Sequence, residues 1–285
     1  MTHQTGPEGG TPAAPAPATP SDTMAPAPHA TPPDLGAALS LRGLWKRFGD
    51  KVAVRALDLD VPVGSFYGLV GPNGAGKTTT LSMATGLLRP DGGTVHVRGT
   101  DLWAHPDAAK ATLGILPDGV RLFDRLTGLQ LVTYAGLLRG MDRDTVAERA
   151  HSLLVAMDLA ADAHTYVVDY SAGMTKKIAL ASAMIHAPRT LVLDEPFEAV
   201  DPVSAANIRD ILADYVAGGG TVVVSSHVMD LVQRMCDHVA IVGAGQVLAA
   251  GTVDEVRGDQ TLEDRFVDLV GGRTRAEGLE WLRTS

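Results

Sequence analysis

Gly71-Pro-Asn-Gly-Ala-Gly-Lys-Thr78 is the stretch that decides the fold. Gly71, Gly74 and Gly76 permit a tight turn and close approach, so that backbone N–H groups between Asn73 and Thr78 converge on a phosphate. Lys77 adds a point charge for the β and γ oxygens, and the Thr78 hydroxyl suits a magnesium ion. Context separates this from a chance glycine-rich turn. Residues 65–70 read as a short buried strand, and a helix is expected over 77–88, stopped by Pro90-Asp-Gly-Gly93. That helix points its positive end at the same phosphates.

Upstream, 41–48 and 52–61 alternate in the manner of strands around a Gly49-Asp50 turn, which suits an antiparallel layer; 94–97 is a further expected strand. Between about 120 and 185 the spacing becomes helical, with Leu129, Leu131, Tyr134, Leu137 and Leu138 followed by Val146, Leu153, Leu154 and Met157. This stretch is expected to be an inserted α-helical subdomain. The near-continuous apolar runs 190–193, 221–225 and 239–242, with a helix over 202–216, suit a largely parallel sheet covered by helices. Beyond residue 251 only short helices are expected, at 253–257 and 262–269.

Leu191-Val-Leu-Asp-Glu-Pro196 supplies the second half of the chemistry. Asp194 ends an apolar strand, where open parallel sheets bind ligands, and is placed to hold magnesium directly or through water. Glu195 is placed to take a proton from an attacking water, a role worth about 10²- to 10⁴-fold in rate.

The 285 residues allow one substantial domain and a smaller part, and no second phosphate cradle occurs. With 24 Lys+Arg against 33 Asp+Glu the net charge is -9, which gives no blanket attraction to nucleic acid or anionic lipid. Cys236 is the only cysteine and forms no internal disulfide, in keeping with a reducing compartment. No apolar run approaches the ~18 residues of a membrane span. The first 34 residues hold nine prolines and few large apolar groups, so a disordered tail is expected there, with Met24 an alternative start to Met1.

Taken in order, these motifs resemble those of the nucleotide-binding subunit of ATP-binding cassette (ABC) transporters, over about 39–250. Gly71, Pro72, Asn73, Gly74, Ala75, Gly76, Lys77 and Thr78, with Thr79 following, match its Walker A motif, and 191–196 its Walker B motif. Tyr170-Ser-Ala-Gly-Met174 matches the signature motif in a form common in exporter-like systems, His227 the switch histidine, and Ala199-Val-Asp201 the D-loop. Phe48 falls at the adenine-stacking position. The resemblance implies an α/β fold: a P-loop NTPase with an ABC-type antiparallel β layer and an inserted α-helical subdomain. The domains would then be a tail at 1–38, the ATP-binding domain at 39–250 and a short helical extension at 251–285.

It also implies ATP and Mg2+ as cofactors, with Glu195, His227 and Lys77 in catalysis and Thr78, Asp118 and Asp194 around the metal. Ser171 and Gly173, at the start of a helix expected near Met174, would seal the ATP held by an opposite subunit, and Asp201 would face that interface. The implied partners are an integral membrane permease and a second ABC subunit, identical or different, with no nucleic acid. The implied location is the cytoplasm, peripherally on the cytoplasmic face of the membrane. Asp118 departs from the family, which usually has Gln there; slower or differently coupled hydrolysis is expected. Ala172 replaces a signature glycine, and Phe197-Glu-Ala-Val200 replaces the commoner Thr-x-Gly-Leu. A soluble regulatory ATPase, or a slow ATP-binding switch, are the alternative readings. The transported substrate is not legible here, because it touches the permease.

Overall fold

The computed structural model describes residues 1–3 and 32–270. In chain order these form β1 (Leu39–Phe48), β2 (Lys51–Val61), β3 (Phe66–Val70), α1 (Lys77–Ala84), β4 (Gly92–Val97), β5 (Thr100–Asp101), α2 (Pro106–Ala111) and β6 (Leu113–Leu116). There follow α3 (Gly128–Leu138), α4 (Arg143–Ala156), α5 (Ala172–Met184), β7 (Thr190–Leu193), α6 (Pro202–Ala217) and β8 (Thr221–Ser226). The last elements are α7 (Met229–Met235), β9 (His238–Gly243), β10 (Gln246–Thr252), α8 (Val253–Arg257) and α9 (Leu262–Val270).

Two sheets result. One is antiparallel with order β2-β1-β4-β5; the other has order β10-β9-β3-β8-β7-β6 and is parallel except for β10. The apolar runs of the second sheet are continuous because both its faces are covered. Leu191, Leu193, Val222 and Val224 turn to one core, built with Ile178 and Leu180 of α5 and Ile208 and Leu212 of α6. Their neighbours Val192 and Val223 turn to the other, built with Leu41, Leu44 and Val54 of the antiparallel sheet and Leu81 and Met83 of α1. The cradle between β3 and α1 therefore stands at the carboxyl ends of the parallel strands, beside the antiparallel sheet.

Several expected boundaries move. The helix after the cradle stops at Ala84 rather than residue 88: Thr85 folds its hydroxyl back onto the Leu81 carbonyl at 2.8 Å, and Gly86, at φ 72°, turns the chain away. β6 was not expected, yet it closes one edge of the parallel sheet beside β7. β10 was also missed and closes the other edge. Packed chain reaches back beyond Leu39, since Ala38 is fully buried and donates to Val61 O at 2.8 Å, while Arg42 Nε donates to Pro32 O at 2.9 Å. Most of the expected tail (4–31) and the end of the C-terminal extension (271–285) lie outside the described residues. Among the described residues no helix is long and apolar enough to cross a membrane.

Candidate functional site

The cradle is fixed by what surrounds its glycines. A Cβ on Gly71 would come within 2.2 Å of the Val242 carbonyl oxygen at the end of β9. One on Gly76, at φ 105°, would come within 2.6 Å of Ala53 O in β2. Backbone rather than flexible side chain fills the space, so only glycine lets the turn lie there. Ala75 is buried and its carbonyl accepts from Gly245 N–H at 2.9 Å, which ties the middle of the turn to the β9–β10 hairpin.

Lys77, only 6 % exposed, donates from Nζ to Gly71 O at 2.9 Å and lies 3.6 Å from Glu195 Oε1. The other oxygen of that carboxylate, Oε2, is 3.1 Å from His227 Nδ1. Elements far apart in the chain thus bring a cation, a carboxylate and an imidazole to one point: α1 gives Lys77, the turn after β7 gives Glu195, and the turn after β8 gives His227. Glu195 is 12 % exposed and His227 43 %, so the carboxylate is sheltered while the ring faces the opening.

A cleft of ≈ 400 Å³ opens over this point. Phe48, Asn73, Gly74, Gly76, Thr78, Thr79 and Asp118 line it together with Lys77, Glu195 and His227. Phe48 is 49 % exposed, so it is no core aromatic; Lys46 Nζ lies 5.7 Å from its ring centre. Asp118 is exposed and its Oδ1 accepts from Gly119 N–H at 2.7 Å. Asp194, 4 % exposed, sits in the wall rather than the lining. The Ser225 hydroxyl donates to its Oδ1 and accepts from Glu195 N–H at 2.9 Å.

Ser171, Gly173 and Asp201 gather at a second place, outside the lining of the cleft. Ser171 is the N-cap of α5 and accepts from Met174 N–H at 3.2 Å, so the helix begins at Ala172, ahead of the expected Met174. Asp201 caps α6, accepting from Val203 N–H at 3.0 Å and Ser204 N–H at 2.9 Å; the Ser204 bond, first among its causes, holds this carboxyl below the usual range. Gly173 lies between them, where a Cβ would be 3.1 Å from Asp201 Oδ2.

Sequence reasoning missed four residues at the site. Lys51, Ala53 and Glu198 also line the cleft, and Ser225 joins Asp194 to the Glu195 backbone. Only Ser225, directly upstream of Ser226-His227, carried a signal that could have found it. The others are tertiary neighbours that no local pattern marks.

A glycine-clamped cradle, a strand-end carboxylate pair and an open cleft define an ATP-binding P-loop protein. Residues 54–198 match the ABC transporter family. The daunorubicin resistance ATP-binding protein DrrA3 of Streptomyces coeruleorubidus is 37 % identical over 82 % of this chain and 73 % of its own length. The linearmycin resistance ATP-binding protein LnrL of Bacillus subtilis is 32 % identical over 75 % of this chain and 69 % of its own. Among solved structures, an ATP-binding subunit of an ABC transporter superposes with a TM-score of 0.76 at 25 % identity, covering 82 % of this chain and 99 % of that one. A dimeric ATP-binding cassette bound to ADP and Pi gives a TM-score of 0.69 at 22 % identity over 75 % of this chain and 98 % of its own, a likeness of fold. The chain belongs to the ABC transporter family, as one of its ATP-binding ATPase subunits.

Proposed function

We propose that this chain hydrolyses ATP to power export through a separate integral membrane permease, as one of two cassettes closing on nucleotide. The observation that carries the reading is the meeting of Lys77, Glu195 and His227 at distances of 3.6 and 3.1 Å on the floor of the cleft.

In this reading the cradle amides and Lys77 hold the β and γ phosphates, and Phe48 stacks on the base. Glu195 takes the proton of the attacking water, and His227 orients that water and the γ phosphate. Ser225 holds the Glu195 backbone by its N–H at 2.9 Å, so the carboxylate need not reorganise during reaction. The donors fit Mg2+: a hydroxyl at Thr78 and carboxylates at Asp118 and Asp194 are hard oxygens, too few for a closed cage, as suits an ion that keeps waters and phosphate ligands. Among the described residues no three His, Cys, Asp or Glu group to hold a metal alone. When bound, Mg2+ neutralises charge on the phosphate oxygens.

Export is supported by the names of the relatives, which include drug resistance and Nod factor export ATP-binding proteins. A permease is supported by the apolar face that α3 leaves open. Phe123 (59 % exposed) packs edge-to-face on Tyr134 (42 %), beside Leu138 (68 %), a short way along the chain from Asp118.

The test is steady-state ATPase activity of the full chain with and without Mg2+, beside Glu195→Gln. The expected outcome is Mg2+-dependent turnover that falls by about 10²- to 10⁴-fold in the variant while ATP still binds. Turnover unchanged by Glu195→Gln would remove the base from the mechanism. Full activity in a soluble complex lacking any membrane protein would remove the permease.

A further inference from the structure

Lys176, little more than one turn into α5, has no part in the chemistry above. The first turn of α5 carries no acidic residue to pair with it. Its partner lies outside the helix. The half-buried Lys176 ammonium donates to the backbone carbonyl oxygen of Glu195 at 3.0 Å.

That carbonyl belongs to a backbone held in an unfavourable shape. Glu195 has φ 46°, in the left-handed region that a non-glycine residue rarely adopts. Pro196 follows it, and the residue before proline is steered towards extended backbone. A conformation disfavoured on both counts persists only where the surroundings over-determine it. The Glu198 N–H reaches the Glu195 C=O at 3.2 Å, and two side chains do the rest: Ser225 Oγ accepts from the Glu195 N–H at 2.9 Å, and Lys176 Nζ donates to the same C=O at 3.0 Å. The lysine bond is charge-assisted, hence the stronger kind.

The geometry points to Lys176 as a positioning residue that fixes the Glu195 backbone and couples it to α5. The inference rests on the reading of Glu195 as the base. Its consequence follows from where α5 begins. The same helix carries Ser171 and Gly173 at its head, the part that seals the nucleotide of the opposite subunit in the proposed dimer. A shift of α5 on sealing one site therefore moves the clamp on the base of the other, and the two sites hydrolyse cooperatively through Lys176.

The experiment compares Lys176→Met and Lys176→Arg in the full chain, reading kcat, ATP affinity, Hill coefficient and thermal midpoint. Lys176→Met is expected to lower kcat ~10-fold or more, a modest misplacement of a reacting group, with ATP affinity within ~2-fold of the parent. The Hill coefficient falls towards unity. Lys176→Arg, which keeps a cationic donor, restores most of the rate. Combined with Glu195→Gln, Lys176→Met adds no further loss, because both act on one group. Should Lys176→Met fail to fold, Lys176→Gln keeps a neutral donor and is expected between parent and the Glu195→Gln level. Parental kcat and cooperativity in Lys176→Met, or in Lys176→Gln where that stands in, overturn the clamp. So does a loss of kcat that tracks ATP affinity and thermal midpoint and is not rescued by Arg. If Glu195→Gln alone leaves turnover intact, the base assignment fails instead, an outcome distinct from an inert Lys176 beside a dead Glu195→Gln.

Discussion

Gly71 and Gly76 in the cradle are walled in by backbone of the same chain, whereas Ser171 and Ala172 at the head of α5 stand exposed, with the serine hydroxyl spent on its own helix. Both places are turns that lead into a helix, where N–H groups suit an anion. The cradle is finished within one molecule: Lys77 is anchored on Gly71 O, Ala75 on the β9–β10 hairpin, and Glu195 waits 3.6 Å from the lysine. The signature tip is braced only from behind, where Gly173 rests on the Asp201 cap of α6. Damage to the cradle should thus be felt by a single chain, and damage to the tip only by a pair.

The largest effect is expected at Gly71→Ala. The new methyl meets the Val242 carbonyl oxygen at 2.2 Å, and neither partner is a flexible side chain. Overpacking of this kind costs about 1–3 kcal/mol. The variant should melt earlier in calorimetry and bind no ATP even at low chain concentration. Parental affinity would show that the turn can slide away from β9, and that the cradle is not fixed as described.

Why the cradle was legible and other parts were not follows from the same contrast. Each residue of Gly71 to Thr78 is required by a local need, a turn, a charge or a hydroxyl, so the string carries its own explanation. Asp194 and Glu195 were legible because a short apolar strand aims them. β6 was not, since Leu113–Leu116 is four residues long, contains Gly114 and is stopped by Pro117; pairing with β7 makes it a strand, and pairing is not written locally. Ser225 and Lys176 act on Glu195 from other elements, and no spacing announces such contacts. The end of α1 was misplaced because Thr85 competes for the Leu81 carbonyl before the expected stop at Pro90.

Ser171→Ala separates tip from cradle with a smaller change. Loss of the cap costs about 1 kcal/mol of helix stability, so the chain stays folded. ATP binding to the dilute single chain should match the parent. Turnover should fall, and the rise of specific activity with chain concentration should disappear. If turnover survives, the exposed tip is not the seal.

Asp118→Gln tests the lining of the cleft. The exposed carboxylate of Asp118 lines the cleft beside Thr78 and Lys77, where it opposes phosphate charge. Gln keeps a carbonyl oxygen that can face Mg2+ and loses only the charge; exposed charge interactions are worth ~0.2–1 kcal/mol, so the change should raise ATP affinity or turnover by up to about fivefold, with the greater gain at low salt. A loss of activity would instead mark Asp118 as a ligand whose charge the site requires.

The smallest effect belongs to the far end of the signature helix, where His186 ties the segment after α5 to β6 through Nε2 and Leu113 O at 3.0 Å. Its Nδ1 is buried without a partner, and burial, followed by the Arg139 charge, lowers the pKa below the ordinary 6.5; the Leu113 bond opposes this and Arg149 adds to it. The unfolded chain therefore takes up the proton first as pH falls. The contribution of the neutral ring is complete above 6.5 and is lost on acidification through the window between that value and the lower folded one. The carboxyls held low by hydrogen bonds, Asp101 and Asp142 among them, act further down, below their ordinary 3.8. The parent's thermal midpoint should then decline from about pH 7.5 to about pH 5.5. His186→Gln, which keeps a donor for Leu113 O and cannot titrate, should decline less. Equal slopes would mean that His186 does not carry this pH dependence, and that the end of α5 rests on other contacts such as the Arg149 guanidinium, which donates to Ile185 O at 3.3 Å.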